Sequence, residues 1–199
     1  MMLILGSGSP RRKSILEAVL GHVSVIVPHA DETLRPGESP EPYVRRVLAD
    51  KMESIRNSAP ATGDHLIIVS DTIVTIDNLV LGKPSSREEA ADMLGLLSGR
   101  EHHVLTGLGL YLRKNGNGFY TRAIEDTAVT FKPLDRDAIN RYLDITPYLD
   151  KAGSYAIQEN GGLIIDAVSG SVTNVIGFPL GLFFSMLCDL GIAGEVLGI

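Results

Sequence analysis

The chain has 199 residues, of which 44% are hydrophobic, one cysteine and a formal net charge of −6. That is enough apolar material for one sizeable core, while the acidic balance excludes a global basic field for a nucleic-acid polymer, so any anion site must be local. The lone Cys188 excludes a disulfide framework or a cysteine-based zinc site, and no apolar run approaches the roughly 20 residues of a membrane span.

Residues 2–5 read as a buried strand. They run into Gly6-Ser7-Gly8-Ser9-Pro10-Arg11-Arg12-Lys13, and a helix is expected over residues 14–20, closing at Gly21. A strand, a Gly/Ser turn and a helix start form an anion site, because free N–H groups and the helix dipole both favour a phosphate. Three cations there oppose the dipole unless an anion sits among them. The turn begins like a dinucleotide fingerprint, with Asp31 about 20 residues on, but Arg11 stands where the third glycine would be, and no GK[ST] ending follows. The competing reading is an ordinary strand–helix turn with solvated arginines.

A short strand over residues 23–27 leads to the adjacent acids Asp31 and Glu32, only one of which can face inward. After a polar loop, Ser39 and Pro40 read as N-cap and first position of a helix whose apolar face is Tyr43, Val44, Val47, Leu48 and Met52. Lys51 sits beside that face and reads as a snorkelling surface lysine.

Residues 65–84 organise the chain. An apolar, β-branched run at 66–69 is expected to break at Ser70-Asp71-Thr72, resume over 73–76, turn at Asp77-Asn78 and end at Gly82-Lys83-Pro84. A carboxylate between two apolar runs is costly to bury without a partner, so Asp71 is either a structural carboxylate satisfied by N–H groups or a catalytic one. Lys83, fixed between Gly82 and Pro84, is the cation expected beside it.

Residues 86–97 read as an amphipathic helix, and Ser98-Gly99-Arg100 ends it. His102 and His103 open a strand and face opposite ways, so they cannot share a metal. Asn115-Gly116-Asn117-Gly118 marks a hairpin, with a returning strand over 119–131 and a helix over 134–143. Asp150-Lys151-Ala152-Gly153-Ser154-Tyr155-Ala156-Ile157-Gln158 gathers a carboxylate, an ammonium, a phenol and an amide. A strand over 163–168 and a final helix over 180–190, with Cys188 as a small buried hydrophobe, complete a mixed α/β sheet.

The polar residues thus fall into three groups: 7–13, Asp71 with Lys83, and 150–158. Without a nucleophile elbow or a Cys–His pair, the inventory fits metal-assisted hydrolysis of a phosphoanhydride. Cations hold phosphates, and carboxylates hold a divalent metal and take a proton from water.

Ser7-Gly8-Ser9-Pro10-Arg11-Arg12, Ser70-Asp71-Thr72-Ile73-Val74, Gly82-Lys83-Pro84, Ser98-Gly99-Arg100-Glu101-His102, Thr106-Gly107, Asp150-Lys151-Ala152-Gly153 and Asn174-Val175-Ile176-Gly177-Phe178-Pro179 resemble, in order, the motifs of the Maf family of nucleoside triphosphate pyrophosphatases. The resemblance implies a single domain spanning residues 1–199: an elongated α/β fold of two lobes with a central cleft, related to the inosine triphosphate pyrophosphatases. It also implies a cytoplasmic homodimer, with magnesium or manganese as the divalent cation. By the family pattern Asp71 is the proton acceptor, with Lys51 and Lys83 as charged catalytic residues. Glu32 and Asp71 are the metal ligands, and Ser7, Ser9, Arg11, Arg12, Thr72, Asp150, Lys151 and Gln158 contact the nucleotide. Arg11, Thr72 and Gln158 resemble the positions that mark the dTTP/UTP branch, although Ala156 and Glu159 replace glycines of its pattern. The alternatives are a 7-methyl-GTP or other modified-nucleotide pyrophosphatase and a nucleotide-binding cell-division regulator.

Overall fold

A computed structural model describes residues 1–198. In chain order the elements are β1 (Met2–Gly6), α1 (Pro10–Leu20), β2 (Ser24–Ile26), α2 (Pro40–Ser58), β3 (His65–Ile76), β4 (Leu79–Leu81), α3 (Arg87–Leu97), β5 (Glu101–Lys114), β6 (Asn117–Phe131), α4 (Arg136–Ile145), β7 (Ile165–Ser169), α5 (Val172–Ile176), α6 (Leu180–Asp189) and α7 (Ala193–Leu197). The strands form one seven-stranded mixed sheet in the order β2-β1-β3-β5-β6-β7, with β4 paired to β3. β1 runs parallel to β2 and β3, and the other pairs are antiparallel.

Side-chain alternation on β3 explains the layering. Leu66 and Ile68 point to a core closed by α1, α6 and α7, with Leu16, Phe178 and Phe183. Ile67 and Val69 point to the opposite face, where Val44, Val47, Leu48 and Ile55 of α2 cover them. A third core, with Phe131, Tyr142 and Tyr155, lies under α3 and α4 at the other end of the long β5–β6 hairpin.

The cleft comes from a gap in the sheet. On one edge of β3, β1 pairs with His65 through Val69, and β4 pairs with Val74 through Ile76. Residues 70–73 pair with β5 alone. The sheet therefore parts beside Asp71, and the turn at the carboxyl end of β1 opens into the same gap.

Four sequence expectations change. β3 is continuous through Ser70-Asp71-Thr72, because the β5 ladder runs unbroken (Asp71 opposite Gly107, Thr72 opposite Thr106) and each polar side chain finds a partner. α1 begins at Pro10 rather than residue 14, since Ser9 is its N-cap and proline suits the first turn. Cys188 is exposed rather than buried, because Phe183, Met186 and Leu187 take the inward face of α6. α7 extends the chain's helical content beyond the last expected element. Among the described residues no helix is long and apolar enough to cross a membrane.

Candidate active site

The turn after β1 supplies the first wall. Ser7 is buried, and its hydroxyl accepts from the Ser9 N–H and from Arg12, both at 3.2 Å. The Arg12 guanidinium ties three segments together: Nε donates to the Gly177 carbonyl at 2.9 Å, and one terminal nitrogen donates to Thr72 Oγ1 at 3.0 Å. Thr72 in turn meets Thr106 Oγ1 at 3.0 Å, and Thr106 donates to the Asn174 carbonyl. Gly177 closes α5 with φ of 116°, a left-handed conformation that aims its carbonyl at Arg12 and favours glycine. The Asn174-to-Pro179 motif thus has a backbone reason. Burial pulls the Arg12 guanidinium below its usual value, while Asp71 and Glu32 act in the opposite direction.

At the gap, Asp71 is buried and accepts from Lys51 Nζ at 2.6 Å. The same ammonium meets Glu32 Oε1 at 2.8 Å. Lys51, not Lys83, is therefore the cation in contact with Asp71, and its place as a surface lysine is overturned: it is 4% exposed. A long side chain beside an apolar helical face can bury its stem and deliver its charge inward wherever carboxylates wait. Burial raises the Glu32 carboxyl, but Lys51, with Lys83 and Arg12, outweighs it and holds the group below the usual carboxylate range. Asp31 turns away and accepts from the Thr33 N–H, so Glu32 is the inward acid of the pair.

The third wall is the loop after α4. Arg11 donates to Asp150 Oδ2 at 2.7 Å, across the mouth of the cleft. Lys151 is buried between Asp150 Oδ1 at 2.8 Å and Glu159 Oε2 at 3.1 Å. Burial raises the Asp150 carboxyl, and Lys151 and Arg11 more than reverse this. The Gly153 N–H donates to the Gly82 carbonyl at 3.0 Å, which pins this loop to the strand end that carries Lys83.

Together these walls enclose a cavity of about 550 Å³, lined among others by Ser7, Ser9, Arg11, Arg12, Glu32, Lys51, Asp71, Thr72, Lys83, Asp150, Lys151 and Gln158. Every residue expected at the site lines this one space. Lys83 and Gln158 extend into it without a protein hydrogen bond among the described residues. The volume suits a small-molecule ligand.

Two residues were missed by sequence reasoning. Tyr43, read as a core residue, donates its hydroxyl to the Glu32 carbonyl at 2.8 Å, and burial with the nearby carboxylates raises its pKa. Arg46 clamps the loop that carries Glu32: it donates to the Asp31 and Thr33 carbonyls and to both oxygens of Glu38. No periodicity marks Arg46, since two of its partners are backbone carbonyls and Glu38 lies in the irregular loop before α2. Its contact holds Glu38 down at about 2, against an ordinary value of 4.5. A depressed carboxyl contributes its full ordering above the ordinary value and loses it as pH falls towards the folded one. Amide protection over residues 31–38 is therefore expected to hold from neutral pH to about 4.5 and to fall away towards pH 2, as hydrogen exchange would show.

The model of the Maf-like protein family matches residues 2–190. The chain belongs to the Maf family. It is 39% identical to the dTTP/UTP pyrophosphatase of Neisseria gonorrhoeae over 194 residues, covering 95% of this chain and 94% of that protein. It is 42% identical to the dTTP/UTP pyrophosphatase of Syntrophus aciditrophicus over 189 residues, covering 95% and 90%. Among solved structures, the Staphylococcus aureus Ham1 protein is 12% identical, with a TM-score of 0.47, covering 96% of this chain and 100% of that one.

Proposed function

We propose that this Maf protein is a nucleoside triphosphate pyrophosphatase that hydrolyses dTTP and UTP to the monophosphate and pyrophosphate. One observation carries the reading: cations from three distant stretches, Arg11 and Arg12, Lys51, and Lys83, share a cavity with the buried Asp71 carboxylate. The two full-length relatives named for this activity support it.

In this reading the triphosphate lies along the turn from Ser7 to Arg12, with its charge met by the side chains of Arg11, Arg12 and Lys83 and by the Arg11 N–H in the first turn of α1. Asp71 accepts a proton from water as the water oxygen attacks. The anhydride bond between the α- and β-phosphates breaks, and pyrophosphate departs with the electron pair. Lys51 orients Asp71 and stabilises the charge developing on the phosphate oxygens. Gln158 presents both a donor and an acceptor to the O4 and N3–H of a pyrimidine. The chain acts as one domain whose two lobes meet at this cleft.

Glu32 and Asp71 converge on one ammonium, at 2.8 and 2.6 Å, so two carboxylates already share a cation site. No group of three His, Cys, Asp or Glu side chains is gathered for a metal among the described residues. That donor set fits magnesium or manganese held by one or two carboxylates plus substrate phosphates, rather than an all-protein cage. A divalent cation bound there supplies charge neutralisation to the phosphates. A cytoplasmic homodimer carries over from the family, and sedimentation velocity tests the stoichiometry.

A panel of natural and modified triphosphates with magnesium or manganese tests the function. The expected result is monophosphate and pyrophosphate from dTTP and UTP. Preferred hydrolysis of 7-methyl-GTP, or tight binding without turnover, would replace this reading with one of its rivals. Gln158→Ala is expected to lower kcat/KM for dTTP and UTP by about 10-fold while sparing the slow purine background, measured by initial rates.

A further inference from the structure

The segment from Tyr155 to Glu159 brings Tyr155, Ala156 and Gln158 into the cavity wall, yet two groups that hold it lie outside the cavity. One is His102, on β5. It is fully buried, and its Nε2 lies 2.9 Å from the Tyr155 hydroxyl. Phe131 stands edge-on to both rings, at 4.8 Å from His102 and 4.9 Å from Tyr155, and the two rings are themselves near perpendicular at 5.4 Å. The second group is Tyr142, whose hydroxyl accepts from the Ala156 N–H at 3.2 Å and donates to the Glu159 carbonyl at 3.4 Å. Lys151 adds an ion pair to Glu159 at 3.1 Å, without hydrogen-bond geometry.

His102 is an unlikely residue for packing alone. Its Nδ1 is buried with no partner. With Nε2–H as donor both the Tyr155 hydroxyl hydrogen and Nδ1 are left unpaired, whereas with the Tyr155 hydroxyl donating to Nε2 only Nδ1–H is, so the bond is assigned from the phenol to Nε2. Burial pushes the His102 pKa down to about 4, so the ring is neutral. A phenyl ring would fill the same edge-on slot without the orphan. What the histidine adds is the bond at Nε2.

We propose that His102 is a positioning residue for base recognition: through Tyr155 it fixes the segment that carries Gln158, and so sets the preference for pyrimidine over purine triphosphates. The side chain does not line the cavity, so its effect passes through Tyr155. The proposal rests on the pyrimidine reading above.

The test compares His102→Phe, which keeps the ring and loses Nε2, with His102→Gln, which returns a hydrogen-bonding amide near the same place, and with Tyr155→Phe. In the ligand-free protein, the amide shifts of residues 155–159 are expected to move in His102→Phe and to revert largely in His102→Gln. That readout needs no substrate, so it stands even if the activity assignment fails. In kinetics, His102→Phe is expected to raise KM for dTTP about 10-fold with kcat within about two-fold, and to narrow the pyrimidine-to-purine ratio similarly. Tyr155→Phe should match it, and the double variant should be no worse than either single one. A folded His102→Phe protein with unchanged amide shifts overturns the proposal. So does one that has lost thermal stability while keeping wild-type KM and selectivity. If His102→Phe does not fold, the same outcomes are read from Tyr155→Phe.

Discussion

Replacing Asp71 by Asn is expected to lower kcat for dTTP by about 10³-fold, the range seen when a positioned general base is removed. The substitution is nearly isosteric. The Asn side-chain oxygen can still accept from Lys51, where the carboxylate now does so at 2.6 Å, so β3 and its ladder to β5 stay in place. KM should stay within a few-fold, because the triphosphate contacts come from the β1–α1 turn and from Lys83. A loss in kcat alone marks an interaction made in the transition state. Steady-state rates beside a thermal melt check this. Full turnover by Asp71→Asn would remove Asp71 as the base, and a collapsed melting temperature would point instead to the structural carboxylate that the sequence also allowed. Lys51→Met is the harsher change, since it removes the one ammonium shared by the buried Asp71 carboxylate and the half-exposed Glu32.

The second large effect is mechanical. Gly107→Ala is expected to destabilise the fold by about 1–3 kcal/mol, as overpacking does, and to reduce activity by more than the unfolded fraction explains. Gly107 lies on β5 directly opposite Asp71. A Cβ there would sit 2.5 Å from Val44 Cγ1 and closer still to Leu48 Cδ1, both on α2. These are buried side-chain contacts on a helix that also carries Lys51 and Tyr43, so Val44 and Leu48 must repack and α2 is expected to shift away from the sheet. Such a shift would withdraw the Lys51 ammonium from Asp71. Denaturant melts and rates measured on the same preparation separate the two parts. A variant as stable and as active as the parent would mean that α2 tolerates the shift, and that the Lys51–Asp71 contact is not held by this packing.

Much of this architecture is legible in the residues, for reasons that can be named. The unbroken apolar run at Leu66, Ile67, Ile68 and Val69 marks a strand with two buried faces, and Asn115-Gly116 marks the hairpin. The three polar groups were readable because each follows an apolar element, where chain ends converge. What was not legible is partnership. Ser70-Asp71-Thr72 looked like a break because isolated polar residues weaken a periodic signal. Their partners are the Gly177 carbonyl, Lys51, Arg12 and Thr106, tens of residues away, and those contacts allow the strand to continue. Lys51 looked solvated for the same reason. Arg46 stayed hidden because backbone carbonyls of the 31–33 loop carry no side-chain signature. Ser9-Pro10, by contrast, did hold the start of α1 in plain view, and the run of cations after it drew the helix boundary too late.

Hydrolysis by this site requires a triphosphate seated where these walls meet, with its α-phosphate beside Asp71. A crystal structure with an α,β-imido analogue of dTTP tests this most directly. The predicted result has the phosphates against Ser7, Arg11, Arg12 and Lys83, a water between the Asp71 carboxylate and the α-phosphorus, and the thymine edge against Gln158. An analogue bound outside this cavity, or reversed so that its base lies against the β1–α1 turn, would contradict it.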